Sequence, residues 1–440
     1  MKLMSRTFQI FILSFTLFSS SLTTRGQVKV DSYVSELNSI IKPIEIDAKG
    51  QIIKTGVPSS ILRDKSIIGL GESTHGTKEF YQFKASIIKE LISNGKLKII
   101  AMETDYCYAK PLNTFLLSNT NDSLSKIRSN TGLYGIYQTE EVFQMLAWIK
   151  NYNMSKPKME RVQVIGVDMQ DPIIISQQIL EQFHELKAMD ISLYNQLMAF
   201  KESFGNTNSF KMDNAEKAKY RDMAIKIKAL VTNDKIENYK ELITLTRMLS
   251  QTIELRGTFG TFTNYFNGFE ERRDKFMAEN AMIIYNGEVK IKNEQMVIWG
   301  HNGHIAHALL NGVKKMGAYL KDQLGDKYFA LGGIFDEGSV RIFDFANTYK
   351  YKSFHYATSQ NQNAIEYIFK KSRTPNFFIS TRDVVKNDKL TSLVKDYKYS
   401  RIIGSTYRKD PKGDFFKVPF TECFDGVFFF MVANAAENVK

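Results

Sequence analysis

Apolar and polar positions alternate along this chain with two different periods. Short unbroken apolar runs at Lys65–Gly71 (KSIIGLG), Lys98–Glu103 (KIIAME), Arg161–Asp168 (RVQVIGVD) and Gln295–Trp299 (QMVIW) read as strands buried on both faces. Between them the spacing becomes helical. Thr77 to Leu91 sets Phe80, Phe83, Ile87 and Leu91 on one stripe with Gly95 as a stop signal, and Glu140–Tyr152 sets Val142, Leu146 and Ile149 on one face beside Trp148. Tyr106–Leu117 reads as a further helix and Asn119–Asn130 as a polar connection. Strand, helix and strand from Ile67 to Asp105 make a βαβ unit with a parallel pair. The fold class predicted is α/β, a central mostly parallel sheet with flanking helices and an inserted helical subdomain.

The insertion is read between Pro172 and residue 290, a stretch without proline, rich in Lys, Glu, Leu and Met. Met223, Ile227, Leu230 and Val231 share one helical face there, as do Leu242, Leu245, Leu249 and Ile253. An aromatic loop, Gly257–Gly268, interrupts it before a last helix, Glu270–Tyr285. Residues 27–60 read as a leading helix and loop. After the fourth strand come an expected hairpin of Tyr328–Phe335 and Ser339–Phe345 turning at Asp336-Glu337-Gly338, a helix near Ala364–Lys371, and strands at Asn376–Ser380 and Gly426–Met431. The units are then a leader at 1–26, core at 27–171, insertion at 172–290 and core again at 291–440.

The leader is Lys2 and Arg6, an apolar stretch Phe8 to Phe18, and small polar residues, the layout of a secretory signal peptide cleaved between Ser21 and Gln27. The expectation is an exported protein, periplasmic or secreted, without stable membrane insertion after cleavage. Net charge is +12, but lysines are scattered among glutamates and form no nucleic-acid arm, so a solvated basic surface is expected and no nucleic-acid partner. Cys107 and Cys423 are the only cysteines. They exclude a disulfide framework and leave open one bridge or two buried thiols.

Chemistry gathers at strand ends. Glu72 and His75 follow the first strand, Glu103 and Asp105 close the second, Asp168 closes the third, and His301 and His304 follow the fourth. Parallel neighbours would bring these ends to one crevice, where open α/β sheets bind their ligands. Glycines on either side of Glu72 and His75 allow close approach. Ser73 and Thr74 read as caps or turn donors. No G-x-S-x-G, H-E-x-x-H, Walker or dinucleotide fingerprint occurs. Two options remain: a histidine oriented by a carboxylate that activates water, or a divalent metal held by the same residue types.

Gly71-Glu72-Ser73-Thr74-His75-Gly76, Glu79, Glu103, Trp148, Gly166-Val167-Asp168, Arg273-Asp274-x-x-Met277-Ala278-x-Asn280, Trp299-Gly300-His301-Asn302-Gly303-His304, Gly317–Gly338 and Phe424-Asp425 together resemble the erythromycin esterase family. The resemblance covers most of the mature chain in order. It implies a hydrolase without a clear metal requirement that opens the lactone ring of macrolides, an activity tied to antibiotic resistance, in a cleft between an α/β core and a helical domain. By resemblance His75 is the general base, with Glu72 beside it. His301 and His304 hold or polarise the substrate and the developing oxyanion, and Glu103 completes the cluster. Arg273 and Asp274 match a motif that serves either the substrate or an ion pair between helical domain and core. Many members carry arginine nine residues after the histidine, where this chain has Lys84.

The substrate-binding set expected is Lys84, Arg273, Asp168 and Tyr106, with Tyr108, Tyr134, Tyr137, Phe262, Tyr265 and Phe266 as further aromatic lining or as plain core. The function expected is hydrolysis of an ester or lactone small molecule, in the first place a macrolide such as erythromycin, with no cofactor. The alternatives are a metal-dependent hydrolase of another ester and a non-catalytic envelope ligand-binding protein of the same fold.

Overall fold

The computed structural model describes residues 28–120, 133–182, 190–205, 212–232, 239–256, 262–310, 312–345, 347–405, 407 and 414–439. At its centre is a nine-stranded sheet. In chain order the strands are β1 (Lys42–Pro43), β2 (Ile67–Leu70), β3 (Leu97–Asp105), β4 (Gln163–Asp168), β5 (Gln295–Trp299), β6 (Tyr328–Asp344), β7 (Lys350–Tyr356), β8 (Asn376–Ser380) and β9 (Gly426–Ala433). They lie side by side as β1-β8-β9-β6-β2-β5-β3-β4, with β7 paired to β6. The run from β9 to β4 is parallel throughout. The antiparallel pairs are β1-β8, β8-β9 and β6-β7. This is the mostly parallel α/β sheet expected.

The four strands read from apolar runs, β2, β5, β3 and β4, are immediate neighbours. Their register sets Leu70 beside Trp299, Trp299 beside Met102 and Met102 beside Gly166, so their carboxyl ends finish level. Both faces are covered. Ile67, Ile99, Ala101, Met296 and Ile298 pack under Met223, Ile227, Leu245 and Leu249. Ile68, Leu70, Ile100, Met102, Val297 and Trp299 pack under Phe80, Phe83, Ile87, Leu146 and Ile149. Successive strand residues face opposite sides, so two buried faces demand the unbroken apolar runs seen in the sequence.

The second face is covered by α2 (Lys78–Ser93) and α4 (Glu140–Met154), while α1 at 28–40 packs with the first face and α3 (Tyr106–Leu117) joins both cores. Between β4 and β5 the described residues hold five α-helices, α5 (Pro172–Gln182), α6 (Ile191–Gly205), α7 (Asn214–Val231), α8 (Tyr239–Arg256) and α9 (Phe262–Ile284). An Asp213/Glu216 capping box starts α7, each side chain bonding the other's backbone amide. Helix α9 begins earlier than the expected Glu270. Residues 257–261 of the aromatic loop, and the side chains of Phe262, Tyr265 and Phe266, lie outside the described residues. So do the leader and residues 121–130 of the polar connection. No helix among the described residues is long and apolar enough to cross a membrane.

Two expectations are corrected or closed here. The hairpin at Asp336-Glu337-Gly338 is absent, and Tyr328–Asp344 is one strand of 17 residues. Gly338 marks instead the place where β6 exchanges its parallel partner β9 for its antiparallel partner β7. It sits at φ 125°, and a Cβ there would overlap the Ala433 carbonyl oxygen. Turn-type residues were placed for close approach, not for reversal, and the chain reverses between Asp344 and Lys350, which pair with each other. Cys107 and Cys423 are both free and buried. Burial raises both thiols, Cys423 to about 12, so neither is a ready nucleophile.

Gly338→Ala is expected to cost on the order of 3 kcal/mol, because neither the left-handed backbone nor the neighbouring carbonyl admits a side chain. Urea unfolding reads this directly, and a midpoint equal to wild type would refute it.

Candidate active site

The turn after β2 is fixed from three sides. Gly71 lies against the Asn302 side chain, whose amide donates to the Gly333 carbonyl (2.8 Å) and accepts from the Gly333 amide (3.0 Å). The Ser73 carbonyl accepts from the Ile403 amide at 2.6 Å. Gly76, at φ 105°, accepts from the amides of Arg341 and Ala436, each at 2.9 Å, and leaves no room for a Cβ. The glycines thus serve the close approach expected of them. Ser73 and Thr74 do not cap the following helix. Its N-cap is Thr77, which makes no side-chain cap bond.

Within this turn the His75 Nδ1–H donates to Glu72 Oε1 at 2.7 Å. The other oxygen, Glu72 Oε2, accepts from Lys84 Nζ at 2.6 Å. Both Glu72 and Lys84 are wholly buried, and His75 is 5 % exposed. Lys84 also donates to the Gly300 carbonyl at 3.2 Å and stands 4.6 Å from the Trp299 ring centre. Burial lowers its pKa, while the Glu72 charge and hydrogen bond work to hold the proton on. Lys84 therefore touches no solvent-facing surface. The expected substrate contact is corrected to a positioning role behind Glu72.

A second cluster adjoins the first. Arg273, from α9, reaches across the strand ends. Its Nε meets both Asp168 oxygens at 3.1 Å, and its Nη2 donates to Asp168 Oδ2 at 2.7 Å and Glu103 Oε1 at 3.2 Å. Next to it on the same helix, Asp274 Oδ1 accepts from His304 Nδ1 at 2.6 Å and from the Met316 amide at 3.0 Å. His304 Nε2 lies 3.1 Å from Glu103 Oε1 and also 3.1 Å from Arg273 Nη1. A neutral ring would accept from the arginine, whereas a charged ring donates to the carboxylate. Asp168 and Glu103 face Arg273, and Glu103 and Asp274 face His304, which favours the charged ring. Burial opposes that charge, but Asp274 and Glu103 outweigh it and raise His304 to about 9. Burial likewise opposes the Glu103 and Arg273 charges. His304, His75 and Arg273 nevertheless hold Glu103 well below the carboxylate range, and Asp168 with Glu103 holds Arg273 well above its own.

His301 differs from the other two histidines. Its backbone amide donates to Glu103 Oε2 at 2.8 Å, its Nδ1 accepts from the Gly303 amide at 3.1 Å, and its Nε2–H donates to the Ile403 carbonyl at 3.1 Å. Burial, then the neighbouring His75, lower it to about 3, so the ring stays neutral. It packs 5.0 Å from the His75 ring, centre to centre. With both nitrogens engaged it forms a wall of the site and has no free donor for an oxyanion.

Glu72, His75, Glu103, Asp168, Arg273, His301 and His304 are thus brought together. Tyr106 is not. At the first turn of α3 it packs into the helical side of the core, with Glu241 and Arg247 as charged neighbours. Asp105 is turned aside at an irregularity in the β3-β4 register and accepts from the amides of Cys107 (3.2 Å) and Asp171 (3.0 Å). Tyr137 meets the His75 ring edge-on at 6.4 Å, and Tyr134 hydrogen-bonds Asp168 at 3.4 Å and packs edge-on to Tyr108. A metal does not fit this set. His301 already uses both nitrogens on the Gly303 amide and the Ile403 carbonyl, His304 uses its own on Asp274 and on Glu103, and the Glu72 oxygens are taken by His75 and Lys84. Among the described residues no group of three or more His, Cys, Asp or Glu is placed to hold an ion.

A family model for erythromycin esterase matches residues 92–432. The chain belongs to the erythromycin esterase family. The matched span includes Glu103, Asp168, Arg273, Asp274, His301 and His304, and begins after Glu72, His75 and Lys84. Among curated relatives, erythromycin esterase type II of Escherichia coli is 20 % identical over 409 residues, covering 86 % of this chain and 92 % of its own. A solved structure of a succinoglycan biosynthesis protein superposes with a TM-score of 0.75 at 18 % identity, over 93 % of this chain and 98 % of the other. A mutant of erythromycin esterase EreC in its open conformation gives 0.62 at 16 % identity, over 87 % and 94 %. At these identities the structural likeness speaks for the fold. Family membership supports an ester or lactone hydrolase with a small-molecule substrate, at the level of the family.

Two outcomes follow from the charges. Replacing Lys84 by Met removes one partner of a buried ion pair with Glu72, at an expected cost of about 3–5 kcal/mol by urea unfolding. A loss under 1 kcal/mol would disprove the buried pair. His304 is raised in the fold, to about 9 from an ordinary 6.5. Its ion pairs therefore contribute fully below pH ~6.5, and their contribution, on the order of 3 kcal/mol, is lost as pH rises through ~9. Wild type should lose stability over that window by more than His304→Gln does, and parallel losses would refute the assignment.

Proposed function

We propose that this protein hydrolyses the lactone of a macrolide, with His75 as the general base. The observation that carries the reading is the orientation of His75. Its Nδ1–H is committed to Glu72, which leaves the Nε2 lone pair to take a proton from water. The resulting hydroxide oxygen bonds to the ester carbonyl carbon. The positive charges of Arg273 and His304, whose side chains are each 13 % exposed, lie where a developing oxyanion would be stabilised. Collapse breaks the ring C–O bond, and the His75 imidazolium returns its proton to the departing alkoxide. The product is an open hydroxy acid, heavier by one water. No covalent enzyme intermediate is needed, in keeping with the raised thiol pKa values and the missing serine elbow.

Membership of the esterase family and the likeness to erythromycin esterase type II support the choice of a macrolide. Two charged clusters around one oriented histidine are more than a mere binding protein requires. The amino-terminal leader supports action outside the cytoplasm.

Purified protein and its His75→Ala variant, incubated with a panel of macrolides and followed by mass spectrometry, test this. Wild type should add one water, and the variant should be slower by roughly 10²–10⁴. Turnover that survives the substitution would sink the mechanism, and an unreacted panel would sink the substrate.

A further inference from the structure

His75 is only 5 % exposed, so little more than the reacting carbonyl of a bulky ester can reach it. The rest of such a molecule must lie on the surface around the turn. We propose that one face of the β6-β7 hairpin is a binding subsite for that bulk, taking the apolar or sugar-bearing flank of the ester. This rests on the hydrolase reading above.

Side chains alternate along β6, so Arg341, Phe343 and Phe345 share one face, and Tyr351 stands opposite Phe343 on the same face. The rings form a continuous shelf. Phe343 lies 5.2 Å from Tyr351 and 6.0 Å from Phe345, and Tyr349 lies 5.1 Å from Phe345. The base of the shelf is joined to the candidate site. The Arg341 amide bonds the Gly76 carbonyl beside His75, and its guanidinium donates to the Gly135 carbonyl at 2.9 Å while covering Tyr351 at 4.2 Å. Tyr351 packs directly on Gly135, two residues before the Tyr137 that meets His75. From Arg341 the shelf rises through four residues to Phe345, roughly 13 Å, the span of a large ring.

Its outer end is built for display. Phe345 is 60 % and Tyr349 65 % exposed. Tyr349 is held at φ 51°, a conformation natural to glycine and strained for tyrosine. The strain is maintained by Asp344. Its carbonyl accepts from the Tyr349 amide at 2.9 Å, and its carboxylate accepts from the Asn347 side chain at 2.9 Å and the Thr348 hydroxyl at 3.0 Å. Lys350 and Lys352 pair with Asp344 and Ile342, so they stand on the opposite face, and the charge on this one is the buried Arg341 guanidinium beneath Tyr351. That separation suits a flat uncharged ligand better than an anionic surface. Aromatic faces bind both hydrocarbon and the C–H faces of sugars.

The test measures equilibrium binding of erythromycin to full-length His75→Ala protein, alone and with Tyr349→Gly or Phe345→Ala added. Tyr349→Gly removes the ring while relieving the backbone, so the melting temperature should hold or rise. The dissociation constant should rise about tenfold with either change. An unchanged constant overturns the subsite, and so does absence of binding by the His75→Ala parent. Loss of binding to phosphatidylglycerol vesicles in Tyr349→Gly, with erythromycin binding unmoved, overturns it in favour of a membrane contact. A shifted constant together with no hydrolysis by wild type leaves the subsite standing and defeats the hydrolase reading alone.

Discussion

Burying the Glu72 carboxylate constrains everything around it. An ion moved out of water costs several kcal/mol even after relaxation, and only a well-placed partner offsets that cost. Lys84 is that partner, and it is buried just as completely. Its proton is held against burial by Glu72, and its remaining donor capacity goes to the Gly300 carbonyl and the Trp299 face. These contacts tie three elements together: the turn after β2, the first half of α2 and the end of β5. The neighbouring strands must finish level for the contacts to exist at all. What the arrangement provides is a carboxylate fixed by two side chains, and so a His75 ring held in one orientation.

The second cluster repeats the logic with more members. Arg273 and Asp274 are adjacent on α9, yet one faces Asp168 and Glu103 while the other faces His304. The helix therefore cannot slide or rotate against the sheet without breaking both sets of ion pairs. Glu103 is shared by Arg273, His304 and the His301 amide, so its three bonds position residues from α9 and from the turn after β5 together. The two acids that flank His304, Asp274 and Glu103, are what raise it and make stability depend on pH above neutrality.

Much of this was legible in the residues, and where it was not, the cause is specific. Unbroken apolar runs marked β2, β3, β4 and β5 because both sheet faces are covered. Their terminal acids and histidines then marked the crevice. Lys84 also left a trace, since it falls on the apolar stripe of Phe80, Ile87 and Leu91, where a lysine is tolerable only with a buried partner. The identity of that partner was not readable. Tyr106 misled because closeness to Glu103 along the chain says nothing about which side of the sheet a helix's first residue meets. Asp336-Glu337-Gly338 misled because glycine serves close backbone approach as well as reversal, and sequence alone does not say which. The pairing of Asp274 with His304 depends on where α9 docks, which no local pattern encodes.

The lysine at position 84 also explains how Glu72 can serve two partners. A carboxylate has two oxygens, and here one goes to His75 and the other to Lys84. Arginine, the residue that the family resemblance leads one to expect there, would act differently. A guanidinium presents a planar fork that matches both oxygens of a carboxylate at once. In this geometry such a fork would compete with the imidazole for Oε1. A lysine ammonium is a compact point charge with three donors on a flexible stem. It can satisfy Oε2 and the Gly300 carbonyl while leaving Oε1 to His75. The same compactness lets it lie against the Trp299 face with no residual donor exposed. Lysine here is therefore consistent with an intact carboxylate–histidine pair, achieved by dividing the carboxylate where a guanidinium would span it.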